Sequence, residues 1–257
     1  MSDSCISGLR DKPKAKFDKL RGLNSNLLTI AMTRSKPVTE LSYLQGTAES
    51  KPSQCRENMM IPFYERSLEE RLALTETVIL EKRTLVERWI ALANIESSRW
   101  NRRAAMAATY LRGQSSVDDI GCGTMILRSH LQSSQKYLPL DVIPRDAFTV
   151  VCDLNNKMPP ATGAKAAAML GVIEYLHDPS SVLLHLSNQY EVLLVSYCFT
   201  DGPGAPANRR EHGWVNDHRK GEIEELFRDS GWSIMDRMEV NAWEYIWQLI
   251  PTGHTPR

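Results

Sequence analysis

The stretch Val117-Asp118-Asp119-Ile120-Gly121-Cys122-Gly123-Thr124 is where this chain first offers chemistry. An apolar-leading run ends in an acid and breaks into two closely spaced glycines. That order predicts a strand, a tight turn and a helix from Met125 to Leu131, with the backbone close to a nucleotide-like ligand. Glycine removes the Cβ and tolerates φ above zero, and the strand-end carboxylate accepts hydrogen bonds from ligand hydroxyl or amino groups. Tyr137-Leu138-Pro139-Leu140-Asp141 ends a second run in an acid, about 20 residues on, where dinucleotide-type folds place a ribose-binding carboxylate. Thr149-Val150-Val151-Cys152-Asp153 repeats the pattern, and a fourth apolar run, Ala166 to Ile173, leads into Glu174. Acids at four successive strand ends mark one rim of a sheet, where open α/β folds bind ligands.

A second group of reactive side chains follows the last of these strands. Asp201-Gly202-Pro203-Gly204-Ala205-Pro206 reads as an irregular loop, continued by Arg209-Arg210-Glu211-His212-Gly213-Trp214-Val215-Asn216-Asp217-His218. His212, His218, His177 and Glu174 fall at or just after the rim and are candidates for moving a proton. His212 and His218 rank first, because their loop also carries Trp214 for stacking on a substrate and Asn216 for hydrogen bonding. The plainer alternatives are that both histidines are surface loop residues and Trp214 a hydrophobic plug. His177 reads as a helix-start residue before Asp178-Pro179. Strand-end aspartates also serve as helix caps, and Asp118 faces solvent beside Asp119 on the simplest reading. No metal site is evident, since the acids are spread along the rim and the histidines lack ligand spacing.

Positioning these groups requires alternating strands and helices, as in an α/β sheet. The expected strands run over Ser116 to Ile120, 137–141, 149–153, 166–173 and 190–199. A helix through Leu183 and Leu186, another over 222–230, and a closing antiparallel pair over 232–240 and 243–250 complete the sheet. Upstream, Ser67-Leu68-Glu69-Glu70 is a capping-box pattern. Leu68, Leu72, Ile79, Val86, Trp89 and Ala93 recur at helical spacing, predicting a long amphipathic helix toward Leu111, broken near Asn94 to Ser98. Its apolar stripe suits core packing, or a helical lid or dimer contact. Residues 1–60 are polar and weakly patterned, with basic residues between Arg10 and Arg21, and predict a mostly disordered arm. The expected division is therefore an arm over 1–60, a helical extension over 61–112 and a catalytic domain over 113–257.

The 257 residues carry 31 basic and 31 acidic side chains, so no global field points to nucleic acid or an anionic membrane. Five cysteines form no CxxC pair, which suits a reducing cytosol. The N-terminal apolar run from Leu27 to Met32 is too short for a membrane span. A cytoplasmic protein without nucleic-acid or membrane partners, monomeric or homodimeric, is expected.

Taken together these stretches resemble the class I S-adenosylmethionine-dependent methyltransferases over about residues 113 to 250. VDDIGCGT is similar to the family's first motif, LPLD to its second, VVCDLNN to its third and AAAMLGVIEYLHDP to its fourth. HRKGEIEELFRDSGWSI resembles the helix and strand before its final hairpin. The resemblance implies a Rossmann-like, seven-stranded α/β sheet with helices on both faces and the last strand antiparallel, here preceded by a long N-terminal helix. It also implies S-adenosyl-L-methionine as cofactor. Asp119, Gly121, Cys122 and Gly123 would line its methionine and ribose part, and Asp141, with Val142 beside it, the ribose hydroxyls. Asp153 and Leu154 would border the adenine, while Gly171 and Val172 to Glu174 would sit under the transferred methyl. Many relatives have a histidine where Tyr175 stands, which leaves Tyr175 to the acceptor side with Trp214 and Asn216. Met125 replaces a usual glycine and would crowd the methionine end.

SYCFTD through REHGWVNDH is similar to methyltransferases encoded among bacterial surface-polysaccharide and glycoconjugate genes. The implied activity is O-methylation of a sugar or other small-molecule hydroxyl, in glycoconjugate or secondary-metabolite synthesis, with a small molecule or glycan as acceptor. The alternatives are a non-catalytic cofactor-binding or scaffold protein of the same fold and a nicotinamide oxidoreductase, whose fingerprint lacks its third glycine here.

Overall fold

Seven strands form one mixed sheet in the order β3-β2-β1-β4-β5-β7-β6. The computed structural model describes residues 61–90 and 98–253, so the arm expected over 1–60 lies outside the described residues. The strands are β1 Ser116–Ile120, β2 Lys136–Asp141, β3 Val150–Val151, β4 Ala166–Leu170, β5 Val192–Cys198, β6 Trp232–Asn241 and β7 Glu244–Pro251. β1 to β5 are parallel, and β7 runs antiparallel to both its neighbours. Strand order reverses between β1 and β4, so their C-terminal ends open onto one crevice.

The two faces of the sheet are filled by alternate residues of the same strands, as the period of two requires. Ala166, Ala168 and Leu194 face helix α3 (Ser98–Tyr110), meeting Ala104, Ala107, Ala108 and Leu111. Small side chains on both sides let that helix lie close to the sheet. Ala167, Met169, Leu193, Val195 and Tyr197 face the other way, onto Leu183 and Leu186 of α4 (Pro179–Ser187) and Ile223 and Phe227 of α5 (Lys220–Asp229). Trp232 and Trp247 close this larger core.

Three sequence expectations change in detail. The long N-terminal helix is interrupted earlier than the pattern suggests. Helix α1 (Leu68–Glu81) starts with the expected capping box, in which Ser67 Oγ accepts from Glu70 N–H and Glu70 Oε2 from Ser67 N–H. It stops at Lys82, whose φ of 51° is left-handed. The chain then turns so that Thr84 donates to Asp153 and Leu85 is buried with Phe63 and Val78, before the short helix α2 (Val86–Ile90). Residues 91–97, which hold most of the expected break, lie outside the described residues.

The helix expected over 125–131 is a five-residue 3-10 helix, Ile126–His130. Met125 is left-handed at φ 57°, so the turn extends through it, and Ser129 Oγ donates back to Ile126 O. Strand β3 shrinks to two residues because its expected ends are drawn into turns. Thr149 Oγ1 accepts from the N–H groups of Arg145 and Asp146, and Asp153 accepts from Asn155 N–H and the Asn156 side chain. Among the described residues no helix is long and apolar enough to cross a membrane.

Candidate functional site

The crevice is built on two glycines. Gly121 follows β1 at φ 73° and Gly171 follows β4 at φ 71°, a region that strains other residues. A Cβ on Gly121 would stand 2.4 Å from Val172 Cγ2, so the two turns interlock at a spot with no room for a side chain. The first turn is pinned to the end of β2, where Leu140 O accepts from the N–H groups of Gly121 (2.8 Å) and Cys122 (3.0 Å). Beside it, Asp141 Oδ2 accepts from Gly123 N–H at 2.8 Å, and Oδ1 from Ile143 N–H at 3.3 Å and Arg145 Nη2 at 3.2 Å.

Two cavities meet over these turns. The smaller, about 70 Å³, is walled by apolar side chains including Ile120, Leu140, Val142, Leu154, Val172 and Leu176, with Asp141, Asp153 and Asn155 at its polar edge. The larger, about 380 Å³, lies in the size range of small-molecule sites. Gly121, Gly171, Trp89 and Tyr175 line both. Asp119 borders the larger cavity and accepts from Tyr137 OH at 2.7 Å; burial, with the negative Asp141 nearby, pushes its carboxyl up to about 7.

Glu174 follows Gly171 in a 3-10 helix, Ile173–Tyr175, and is 1 % exposed. Its Oε1 accepts from Cys198 N–H at 2.9 Å, while Oε2 is buried without a hydrogen-bond partner on a group bordering the cavity. Burial raises this carboxyl above its ordinary range. The loop after β5 folds over the same place: Val215 N–H donates to Glu174 O at 2.7 Å and Trp214 Nε1 to Tyr175 OH at 3.0 Å. His212 packs on Trp214, with ring centroids 4.9 Å apart. Burial lowers the His212 pKa, with Arg88 and Arg71 adding to the effect against Glu211, so its ring is predominantly neutral at pH 7.

No family model matches this chain, and no curated protein matches it. Solved structures do match in shape. The 1,6-didemethyltoxoflavin-N1-methyltransferase of Burkholderia thailandensis superposes with a TM-score of 0.52 at 16% identity, covering 73% of this chain and 91% of that one. The mitomycin 7-O-methyltransferase MmcR gives 0.52 at 14% identity, covering 74% and 70%. Both share the architecture set out above.

The fold is the class I methyltransferase fold.

Within the class I methyltransferase fold most of the sequence-derived residues line one or other cavity, with Gly121, Gly171 and Tyr175 lining both. Asp119, Gly121, Cys122, Gly123, Gly171, Glu174, Tyr175, His212 and Trp214 line the larger cavity; Asp141, Val142, Asp153, Leu154 and Val172 line the smaller. His218 and Asn216 line neither. Asn216 is spent on the scaffold: its amide donates to Ile173 O and Leu176 O, and its oxygen accepts from Tyr197 OH. His218 lies against the Tyr197 ring and donates its backbone N–H to the Tyr197 hydroxyl. Asp153 borders its cavity with both carboxylate oxygens already engaged, by Thr84, Asn155 and Asn156. Asp118 is buried, accepting from Thr162 and Tyr190, and does not face solvent. Met125 lines neither cavity, so the expected crowding of the methionine end is not seen.

Sequence reasoning offered a helical lid only as an alternative and did not place Tyr64, Arg88, Arg99 or Arg103 at the roof of this crevice. Tyr64, Arg88, Trp89, Arg99 and Arg103 border the larger cavity from the N-terminal helices. Arg99 and Arg103 donate at 2.8 Å to opposite oxygens of the buried Glu244. Burial alone would raise the Glu244 pKa, but the two guanidiniums outweigh it and hold the carboxyl below its ordinary range. The available signal was the pair of arginines four residues apart on a helix whose buried positions are alanines. The roof is fastened to the loop by Arg71 Nη1 and Thr75 Oγ1, donating at 2.8 Å to the carbonyls of Glu211 and Arg210.

Proposed function

We propose that this chain is an S-adenosylmethionine-dependent methyltransferase acting on a small-molecule acceptor, with oxygen as the favoured acceptor atom. The observation that carries the reading is the meeting of two cavities at Gly121 and Gly171, where the strand order reverses. The residues present fit the donor. The apolar walls of the smaller cavity suit a flat heterocycle, and Asp141 at its edge suits a ribose diol. Gly123, at φ 52°, has open space where a Cβ would project, which leaves a lane beside Asp119 for an amino-acid tail.

When bound, S-adenosylmethionine supplies a methyl group on a sulfonium, already activated for in-line displacement. The chain then has to bind, align and manage one proton. His212, neutral at pH 7 and bordering the larger cavity, takes the proton of an acceptor hydroxyl at a ring nitrogen. Glu174 holds that hydroxyl through its otherwise unpartnered Oε2. Tyr175 and Trp214, tied together by a hydrogen bond, give the acceptor an aromatic wall. Water is excluded by the roof from the N-terminal helices. In this reading residues 113–257 carry the donor site and the extension over 61–112 closes the acceptor side.

One neighbour is named as a 7-O-methyltransferase, and another was crystallised with 1,6-didemethyltoxoflavin and S-adenosylhomocysteine. Both names favour a small-molecule acceptor, and neither lends support to a glycan. Calorimetric titration with S-adenosylhomocysteine tests the donor half. Saturable one-to-one binding is expected; folded protein that gives no heat at millimolar ligand would refute the reading.

A further inference from the structure

Arg88 stands apart from the other buried charges of the molecule. It is 3 % exposed, it borders the larger cavity, and its Nε and Nη1 have no hydrogen-bond partner. Its guanidinium carbon lies 4.7 Å from the ring centroid of Tyr64, 4.8 Å from Trp89, 5.2 Å from Tyr175 and 5.3 Å from Phe63. Arg83, Arg99, Arg103, Arg145, Arg209 and Arg210 each pair with a carboxylate, but among the described residues no carboxylate lies within ion-pair distance of Arg88.

A guanidinium stays charged in a protein, and removing it from water without an anion costs several kcal/mol. Ring faces recover part of that, and the Tyr64 and Tyr175 hydroxyls stand within hydrogen-bonding reach of the guanidinium, but Nε and Nη1 remain without a partner. Gly213, at φ 76°, keeps the space beside Leu85 and Arg88 clear: a Cβ placed there would stand 3.0 Å from Leu85 Cδ2 and 3.3 Å from Arg88 Cδ. A fixed cation ringed by aromatic faces at the wall of a small-molecule cavity is suited to a planar anion.

We propose that Arg88 is the anion-recognition group of the acceptor pocket, and that the acceptor is a hydroxylated aromatic carboxylate. The carboxylate pairs with the guanidinium, the ring lies among Tyr64, Trp89 and Tyr175, and the hydroxyl is left for His212 and Glu174. The proposal rests on the methyltransferase reading for the fate of the hydroxyl, but the anion preference stands independently of it.

The test is calorimetric binding of 2-hydroxybenzoate, 4-hydroxybenzoate and indole-3-carboxylate against their primary amides, with and without S-adenosylhomocysteine. At least one acid is expected to bind the wild-type protein about tenfold or more tighter than its amide, the size of a charge-assisted hydrogen bond. Arg88→Gln is expected to abolish that ratio while leaving amide binding within about twofold. Should Arg88→Gln not fold, Arg88→Lys, which keeps the charge and loses the planar fork, is expected to retain a reduced acid preference. Equal binding of acid and amide by the wild type, an unchanged ratio in Arg88→Gln or Arg88→Lys, or no acid binding by protein that does bind S-adenosylhomocysteine overturns the proposal. Acid preference without S-adenosylhomocysteine binding would instead uphold the Arg88 site and overturn the methyltransferase reading.

Discussion

Arg145 Nη2 lies 3.2 Å from Asp141 Oδ1, while the other oxygen of the same carboxylate holds the Gly123 N–H at 2.8 Å. The acid proposed to receive a ribose diol thus also ties down the first glycine turn. Asp141→Ala is expected to weaken S-adenosylhomocysteine binding by about 1.5 to 3 kcal/mol, the size of a lost charged hydrogen bond. Titration calorimetry reads this directly, and unchanged affinity would remove Asp141 from the donor site.

Gly121→Ala places a Cβ at φ 73°, 2.4 Å from Val172 Cγ2. Left-handed backbone and overpacking add, so a loss of about 2 to 4 kcal/mol is expected, read from the denaturant midpoint. Val172→Ala in the same chain should recover part of it, since the clash is with that side chain. A double-mutant cycle without coupling would mean that the turns do not interlock as described.

The two loop histidines should separate in kinetics. His212→Asn is expected to lower turnover by about 10² or more, the usual range for a proton-transfer group, with S-adenosylhomocysteine affinity retained. His218→Asn should stay near the wild-type rate, because His218 lines neither cavity. Burial lowers the His212 pKa, so the base is kept neutral and the acid limb of the rate profile is expected below pH 6.5. Equal losses in the two variants would show that proximity to the cavity does not decide their roles.

Asp119 gives a stability signature with a definite sign. Its folded-state pKa is raised from 3.8 to about 7 by burial. Between those values the unfolded chain releases a proton that the folded chain keeps, so wild-type stability falls as pH rises through the window. Asp119→Asn removes the term, so its stability relative to wild type should climb from pH 4 to pH 7 and then level off. Denaturant midpoints at pH 4, 5.5, 7 and 8 check this; a flat difference would mean that Asp119 is ionised throughout.

The sheet and its rim were legible in the sequence because their signals are local. Apolar runs ending in an acid, the Gly121 and Gly123 spacing and the capping box at Ser67 each lie within a few residues and mean the same thing in most surroundings. The roof was legible only as one alternative, a helical lid, because Arg88 and Trp89 turn inward only after the chain breaks at Lys82. That break is held by Thr84 reaching Asp153, 69 residues away. The loop was half legible for a similar reason. His212 and Asn216 look alike as polar loop residues, and what separates them is that Asn216 is consumed by the carbonyls of Ile173 and Leu176.

The clasp of Arg99 and Arg103 on Glu244 joins residues 145 and 141 positions apart. During synthesis at about 5 to 20 residues per second, helix α3 therefore waits on the order of ten seconds before its counter-ion has been made. Throughout that interval two arginines and a stripe of alanines have only the unfinished sheet to rest on. Ribosome-bound chains halted before residue 244 should lack the roof of the crevice, so the pocket is completed only once β7 has been made.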